Sequence, residues 1–174
     1  MTTINGGAPW TNEPDNATFD AHGFKCEIRR VKHSGHLCGY AGVPNSHPWY
    51  GKQYNDRVKP PRDLIERPID IDKIGAFNLF CASVIGDDIR ESCEIVLLVD
   101  VHGGLTYSQQ GDADLEGLWV FGFDCAHAGD LCPVTADRFG WCGDETYRNF
   151  EYVKSETESM ARQLAAIAAT EVKS

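Results

Sequence analysis

The sequence predicts an α+β protein, in which an antiparallel-rich or mixed sheet of about five to six strands is backed by one long C-terminal helix. Several short segments alternate apolar and polar residues, as half-buried strands do. No helical segments separate them in the regular way that builds a parallel sheet. The chain has 174 residues, of which 42% are hydrophobic, and this suits a single domain, residues 1–174, with its own core.

The N-terminal part of the chain predicts an arm followed by a β-hairpin. Residues 1–22 are rich in Asn, Gly, Thr and Pro, which indicates a loosely docked arm. Apolar and polar residues alternate over 24–31, as expected of a half-buried strand. A turn at 32–35 leads to a second strand over 37–43, where two glycines favour a bulge or the close approach of another group.

Residues 44–72 predict a proline-rich loop that covers one edge of the sheet as a lid. Connections of this length without regular structure are often binding loops. Within 44–67, five basic residues stand against three acidic ones, although the whole chain is acidic. This local surplus favours a small anionic ligand, unless the cations only pair with neighbouring acids. The candidate ligand-binding residues are His47, Tyr50, Arg57 and Arg62 in the lid, with Gly103 and Gly104 beneath it.

The middle of the chain predicts the core of the sheet. Residues 94–102 contain a β-branched apolar run that is typical of a central strand. Residues 76–86 and 105–107 predict further strands, and 108–116 predict a polar loop. Residues 119–124 alternate large apolar side chains, which indicates a buried strand that we expect to lie beside 94–102.

Residues 144–170 predict the C-terminal helix. Asp144 suits the N-cap, and apolar side chains then recur at intervals of three and four residues. The members of this stripe are Phe150, Val153, Thr157, Met160, Leu164 and Ile167. We expect the stripe to dock onto the sheet, and the alternative is a short homodimer seam, so both a monomer and a homodimer stay open.

Composition excludes several function classes. The formal net charge of −10 makes the chain repel nucleic acid. No apolar run approaches the length of a membrane span, and the N-terminus lacks the features of a signal peptide, so we expect a cytoplasmic protein. The seven cysteines form no C-x-x-C pair, which excludes a zinc ribbon and favours free thiols.

Residues able to carry chemistry gather at the ends of two predicted strands. Asp100 and His102 share one strand face and precede a Gly-Gly pair, whose backbone N–H groups can approach an anion. The strand over 119–124 runs directly into a Cys/His/Asp corner that closes on Asp130. Rigid strand ends hold reactive groups well. The catalytic candidates expected to share a cleft are His102, Asp124, Cys125 and His127.

Two kinds of active site are open on these residues. In one, Cys125 is a thiolate nucleophile and His102 or His127 is its base. In the other, a divalent metal, most simply zinc, is held by ligands drawn from His102, Cys125, His127 and Asp130. Two further alternatives are a site that binds a ligand without chemistry, and a structural role in which Cys125 is buried and the histidines cap turns.

An ordered set of motifs resembles a family of small uncharacterised proteins carried by bacteriophages and prophages. The motifs are GHLCGYAGVP from position 35, HPWYG from 47, VHGGLTYS from 101 and FGFDCAHAGD from 121, with YR from 147 and EYVK from 151. The resemblance covers residues 35 to about 164, and no activity is established for the family. It implies expression inside an infected bacterium, with action on host metabolism or host defence.

These observations lead to a functional hypothesis. The protein is expected to be a small phage-type hydrolase that acts on a small anionic, nucleotide-like substrate in the host cytoplasm. The alternative is a non-catalytic binder that sequesters a nucleotide-like signal or inhibits a host-defence protein. The expected partner is therefore a small anionic ligand or a host protein, without nucleic acid or membrane. Clustered Gly, His, Cys and Asp residues favour a pocket over an acidic protein-binding surface.

Overall fold

The structure is a computed structural model that describes residues 8–60, 91–140 and 143–171. Its architecture confirms the α+β prediction, because a five-stranded antiparallel sheet is backed by a long C-terminal helix. The sheet contains β1 (Asn16–Ala21), β2 (Phe24–Arg30), β3 (Leu37–Val43), β6 (Tyr107–Gln110) and β7 (Trp119–Asp124). The remaining elements are β4 (Arg57–Val58), β5 (Cys93–Glu94), α1 (Pro133–Phe139) and α2 (Phe150–Glu171).

The order of the strands in the main sheet is β1-β2-β3-β7-β6, and every neighbouring pair is antiparallel. The register pairs Cys38 with Asp124 and Val43 with Trp119. β7 therefore lies near the centre of the sheet, with buried residues from Val120 to Phe123. Its C-terminal end at Asp124 points toward the candidate site, and its N-terminal end at Trp119 lies about 17 Å away by strand rise.

Helix α2 packs on the inner face of the sheet and completes the core. The members of its apolar stripe from Val153 to Ile167 are buried, as the sequence predicts. A Cβ at Gly39 would overlap Thr157 of the helix and Phe123 of β7, so the helix approaches the backbone of β3 closely. The interval pattern therefore predicts docking onto the sheet correctly. Neither helix in the part of the chain that the structure describes is both long and apolar enough to cross a membrane.

The prediction of a central strand over 94–102 is wrong. Ile95–Leu97 form a single 3-10 turn, and the following residues run as a buried connection. The apolar side chains are nonetheless in the core, since Ile95, Val99 and Val101 are fully buried. Backbone polar groups in this connection bond to side chains of α2 instead of to a strand: Gln163 Oε1 accepts from Asp100 N at 2.9 Å and Gln163 Nε2 donates to Asp100 O at 2.9 Å. Burial of the run is correctly predicted, but its start pairs with residues 54–57 and its later part, at Asp100 and His102, bonds to the helix.

Three further boundaries differ from the sequence predictions. Residues 16–21, predicted as part of a loose arm, form β1 and pair with β2 along their whole length. Residues 107–110, mostly predicted as a polar loop, form the edge strand β6. Its glutamines are exposed, because one side of this edge strand faces solvent. Helix α2 begins at Phe150 and not near Asp144, because Asn149 Oδ1 accepts from Tyr152 N at 2.9 Å and so acts as the N-cap.

The described part of the predicted lid lies at the Trp119 end of the sheet. The carbonyl oxygen of Lys52 accepts a hydrogen bond of 2.7 Å from Trp119 Nε1, and the ring of Tyr50 packs beside Trp119. Strand β4 pairs with β5 in a separate two-stranded sheet. The segment therefore packs on the end of β7 opposite to Asp124. The predicted strand over 76–86 and the remainder of the lid, 61–72, lie outside the described residues.

Candidate functional site

The candidate site forms where β7 ends and the chain turns toward the start of α2. The carboxylate of Asp124 accepts a hydrogen bond of 3.0 Å from Ala126 N, which bends the chain immediately after the strand. Four residues after Ala126, Asp130 forms an isolated parallel bridge with Thr146, and Leu131 N donates to Thr146 O. These contacts bring the corner that follows β7 against the segment that leads into the helix.

Asp130 is the centre of the site. Its Oδ2 lies 2.7 Å from His102 Nε2, and its Oδ1 accepts from Arg148 Nε at 2.8 Å. His127 N donates to Oδ2 at 3.1 Å. The side chain is 1% exposed. Burial opposes the ionisation of Asp130, but the hydrogen bonds from His102, His127 and Arg148 outweigh it, so the pKa of the carboxyl is well below its ordinary range.

His102 is held on both sides of its ring. Its Nδ1 lies 3.0 Å from the hydroxyl of Tyr152, which is on the first turn of α2. Its backbone N donates to Glu156 Oε2 at 2.9 Å, one turn further along the helix. An ionised Asp130 can accept a hydrogen bond from Nε2–H, and in that tautomer Nδ1 can accept the Tyr152 hydroxyl hydrogen. The helix and the carboxylate together fix the position of this imidazole.

His127 completes a cluster of three possible metal ligands. Donor atoms of His102, His127 and Asp130 all lie within 4.8 Å of one another. His127 Nδ1 is buried and has no hydrogen-bond partner among the described residues, where Asp130 Oδ2 lies at 3.7 Å and Asp124 Oδ1 at 3.9 Å. The Asp130 carboxylate raises the pKa of His127 against the opposing effect of burial. A buried ring nitrogen without a partner, beside two carboxylates, is a position that a cation can fill.

The Gly-Gly pair predicted beneath the site shapes it through packing. Gly103 and Gly104 have φ values of +68° and +81°, and Gly104 N donates to Val101 O at 3.0 Å in a tight turn. A Cβ at Gly103 would overlap the imidazole of His127. Glycine at 103 is therefore required for the two histidines to stand with ring centroids 5.4 Å apart.

The structure brings together His102, Asp124, His127 and Asp130, but it places Cys125 in the hydrophobic core. Cys125 is 2% exposed and packs with the buried cluster of the sheet. Burial raises the pKa of its thiol far above the ordinary value, and the nearby carboxylates raise it further. A thiol in this state is neither a ready nucleophile nor a ready metal ligand. Within the described residues, the candidate ligand cluster does not include it.

The residues predicted to bind a ligand from the lid lie elsewhere. His47 is buried against α2, where its Nε2 lies 3.0 Å from the carbonyl oxygen of Leu164. Tyr50 packs beside Trp119, and Arg57 bonds to Ser92. Leu164 is three turns along the helix from Tyr152, so this region and the ligand cluster occupy opposite ends of α2. Arg62 lies outside the described residues.

Sequence reasoning did not assign a role to Arg148 or Tyr152. Arg148 lies two residues before α2, Tyr152 lies on its first turn, and the guanidinium of Arg148 lies 5.1 Å from the centre of the Tyr152 ring. Among the described residues, Arg148 is the arginine that pairs with Asp130. Within the predicted helix over 144–170, their spacing at i and i+4 was the available signal, since such pairs share one face of a helix.

A cleft of about 350 Å³ opens on the outer face of the sheet next to this cluster. The residues that line it include His33, His36, Tyr40, Thr106, Tyr107 and Asp124. Asp124 belongs to both features, because its carboxylate lines the cleft and stands 3.9 Å from His127 Nδ1. The site therefore consists of two partly exposed histidines around one buried carboxylate, with an adjacent cleft large enough for one small ring system.

Comparison of the chain with protein-family models, with curated proteins and with solved structures finds no match. The chemistry of the site is therefore inferred from the distances, burial and charges of its own residues.

Proposed function

We propose that this protein is a metal-dependent hydrolase of small molecules, with a divalent ion held by His102, His127 and Asp130. The observation that carries the proposal is the convergence of these three donors within 4.8 Å, with His127 Nδ1 buried and without a hydrogen-bond partner in the part of the chain that the structure describes. Two imidazoles and one carboxylate are a ligand set that zinc accepts in hydrolytic enzymes.

The distances fit such an ion with one small adjustment. Two ligand atoms on a tetrahedral zinc lie roughly 3.3–3.4 Å apart, given metal–ligand bonds of about 2.0–2.2 Å. The separation of 3.7 Å between His127 Nδ1 and Asp130 Oδ2 is close to that value. The separation of 2.7 Å between His102 Nε2 and Asp130 Oδ2 is a hydrogen bond, so this pair must separate by about 0.6 Å on loading. Loading also removes the hydrogen from Nε2.

The surrounding residues support this ligand set. When His102 Nε2 is a ligand, its hydrogen moves to Nδ1, and the Tyr152 hydroxyl can accept it as readily as it donates in the unloaded state. Arg148 holds the second oxygen of Asp130 and keeps the carboxylate ionised. A divalent ion held in this way lowers the pKa of a coordinated water and polarises a carbonyl or phosphoryl oxygen.

Arg148 also supports an anionic substrate. Its Nε is engaged by Asp130, while its side chain is 30% exposed and its terminal nitrogens make no hydrogen bond to the described residues. A guanidinium beside the ligand cluster can bind a phosphate or carboxylate group of the substrate. In this proposal the cation comes from Arg148, just before α2; Arg62 of the predicted lid lies outside the described residues. We retain the infected bacterial cell as the proposed setting, on the motif resemblance alone.

A second candidate function is acid–base catalysis without metal. The specific observation is that both ring nitrogens of His102 are hydrogen-bonded, which links the Tyr152 hydroxyl through the imidazole to Asp130. Such a chain can move a proton between Tyr152 and the ring while the buried carboxylate stabilises the imidazolium. It uses the same atoms as the metal centre, so a metal measurement separates the two.

The test is a zinc titration of chelator-treated protein by calorimetry, followed by elemental analysis after dialysis. We expect one zinc ion per chain, with binding lost in His127→Ala and in Asp130→Asn. His22→Asn is the matched control, because His22 is exposed on the turn between β1 and β2 and Asn tolerates its positive φ of 51°. Zinc-loaded protein should then hydrolyse p-nitrophenyl ester or phosphodiester probes, and His127→Ala should not.

Three results would change the proposal. Absence of stoichiometric zinc with persisting hydrolysis would overturn the metal centre and favour the Tyr152–His102–Asp130 chain. Zinc binding that survives in both site variants would place the ion elsewhere. Zinc binding without hydrolysis of any probe, together with tight retention of an unmodified ligand, would favour the non-catalytic binder.

A further inference from the structure

The cleft beside Asp124 has a rigid aromatic wall. The ring of Tyr40 lies across Gly122, where a Cβ would be 2.5 Å from Tyr40 Cδ1. The guanidinium of Arg29 lies 5.4 Å from the centre of the same ring, and Tyr107 meets it edge-on at 5.2 Å. Packed on these sides, Tyr40 cannot change its position easily. A fixed flat wall of this kind favours a planar ligand group.

The polar end of the cleft is a carboxylate in a fixed orientation. Asp124 Oδ2 accepts from the Thr106 hydroxyl at 2.8 Å, and Oδ1 accepts from Ala126 N at 3.0 Å. Each oxygen of an ionised carboxylate has capacity for a further hydrogen bond, and the side chain is 29% exposed. Both oxygens can therefore accept from a pair of neighbouring N–H donors on a ligand.

The charge of the cleft argues against an anion in this part of the site. Its lining contains one carboxylate and, among the described residues, no lysine or arginine. Burial lowers the pKa of His36, which keeps this imidazole neutral at physiological pH. The guanidinium of Arg29, which packs on Tyr40, is committed to Glu27 and Asp112. A cleft whose lining holds one carboxylate and neither lysine nor arginine favours neutral or cationic hydrogen-bond donors.

We propose that the cleft binds a planar, nitrogen-containing group that presents two adjacent N–H donors to Asp124 and packs against Tyr40 and Tyr107. The inference deepens the proposed hydrolase and rests on it, because Asp124 Oδ1 lies only 3.9 Å from His127 Nδ1. A substrate seated in the cleft therefore directs its remaining end toward the ligand cluster and Arg148. The substrate class is an amino-heterocycle or amidine joined to an anionic, hydrolysable group.

Three probes that share one ring and differ in charge test the cleft. Benzamidine presents two parallel N–H donors, benzamide is its neutral counterpart, and benzoate is its anionic counterpart. Their affinities are measured by calorimetry and ligand-observed NMR on metal-free protein in chelator, so the proposed metal centre does not contribute. We expect benzamidine to bind at least tenfold more tightly than benzoate, with benzamide in between.

Two variants identify the groups responsible. Asp124→Asn keeps the side-chain size and the acceptor for Ala126 N but removes the charge, so it should abolish the preference for benzamidine over benzamide. Tyr107→Leu should weaken all three probes by a similar factor, since it removes ring contact without changing charge. Glu116→Gln, on an exposed loop outside the cleft lining, is the control and should behave as wild type.

The outcomes separate this inference from the proposed function. Equal or stronger binding of benzoate by wild-type protein, or an unchanged preference in Asp124→Asn, would overturn the cleft assignment even where zinc binds stoichiometrically. The expected probe order in a protein that binds no zinc would support the cleft while the metal centre fails. The comparison of the three probe affinities on wild-type protein tests the cleft even if one variant folds poorly.

Discussion

The imidazole of His127 lies directly against the Cα of Gly103, so closely that a methyl group at position 103 would occupy the volume of the ring. The two residues are far apart in the chain and meet where the turn before β6 packs against the corner after β7. Gly103 therefore acts on the site through the space that it leaves. This contact fixes the distance between His127 and the other two donors of the ligand cluster.

Gly103→Ala should displace His127 and lower zinc affinity at least tenfold, because a ligand moved out of line loses much of its contribution. The positive φ of +68° adds backbone strain of about 1–2 kcal/mol to the free energy of folding. The measurement is zinc titration by calorimetry together with denaturant unfolding.

Gly117→Ala is the control for strain alone. Gly117 has a similar φ of +84°, and no atom of a described residue lies within 4 Å of the position where its Cβ would stand. Both variants should lose comparable stability from strain, but only Gly103→Ala should lose zinc affinity. Equal zinc affinities in the two variants would show that His127 is not held by this contact.

Much of the fold can be predicted from local pattern. Alternation identifies β2 and near alternation identifies β7, β3 is predicted as the second strand of the hairpin, and the stripe of α2 faces the sheet as its intervals predict. The prediction fails where the partner of a segment is decided by packing. The run over 94–102 is buried as predicted, yet its backbone bonds to Gln163 and Glu156 of the helix, which no local pattern reveals.

The sequence likewise predicts part of the candidate site, and the prediction fails where packing decides the position of a side chain. His102, Asp124, His127 and Asp130 stand at chain turns with a recognisable composition, and the structure brings them together. Cys125 looks equivalent in the sequence, but alternation along β7 turns it inward, where burial makes the thiol inert. The basic residues of 44–67 are selected from the sequence by their charge alone, and charge does not determine which end of the sheet a loop covers.

Asp130→Asn should change the pH dependence of stability. The folded-state pKa of Asp130 is well below its ordinary value, so its ionised form contributes stability that is fully present above the unfolded pKa of about 3.9 and is lost as pH falls toward the folded pKa. Wild-type protein should exceed Asp130→Asn in free energy of unfolding at pH 7. The difference should narrow below about pH 4.

Urea unfolding with excess chelator, at pH 7 and at the lowest pH where both proteins are folded, measures this difference without any metal contribution. Asp114→Asn is a suitable control, since Asp114 is exposed in the loop before β7 and has no ion pair among the described residues. A difference between wild type and Asp130→Asn that stays constant with pH would contradict the assignment of an ionised, hydrogen-bonded Asp130.

The buried cysteines should resist alkylation in the folded protein. Burial raises the pKa of Cys38 and of Cys93 to about 11 each, and it also raises the pKa of the Cys125 thiol. The five cysteines in the described ranges are free, and four of them are buried. Iodoacetamide at pH 7.5 should therefore leave Cys38, Cys93 and Cys125 unmodified under conditions that label them fully in denaturant, as peptide mapping by mass spectrometry can show. Rapid, stoichiometric labelling of Cys125 in native protein would contradict this prediction and would favour the hypothesis that Cys125 is a nucleophile.

Tyr152→Phe should weaken the metal centre without weakening the fold. The change removes the hydroxyl that lies 3.0 Å from His102 Nδ1 but keeps the ring beneath the Arg148 guanidinium. Groups that hold the second nitrogen of a histidine ligand typically contribute a factor of roughly 10–100 to metal affinity. We expect zinc affinity, measured by competition with a chelator, to decrease by a factor in that range, while the melting temperature changes little.

Tyr147→Phe is the matched control, because its hydroxyl bonds to Arg30 and Glu13 and touches no member of the ligand cluster. It should lose stability of about 1 kcal/mol and retain zinc affinity. If the two variants bind zinc equally well, Tyr152 does not orient His102 as a ligand, and the hydroxyl belongs instead to the metal-free proton chain.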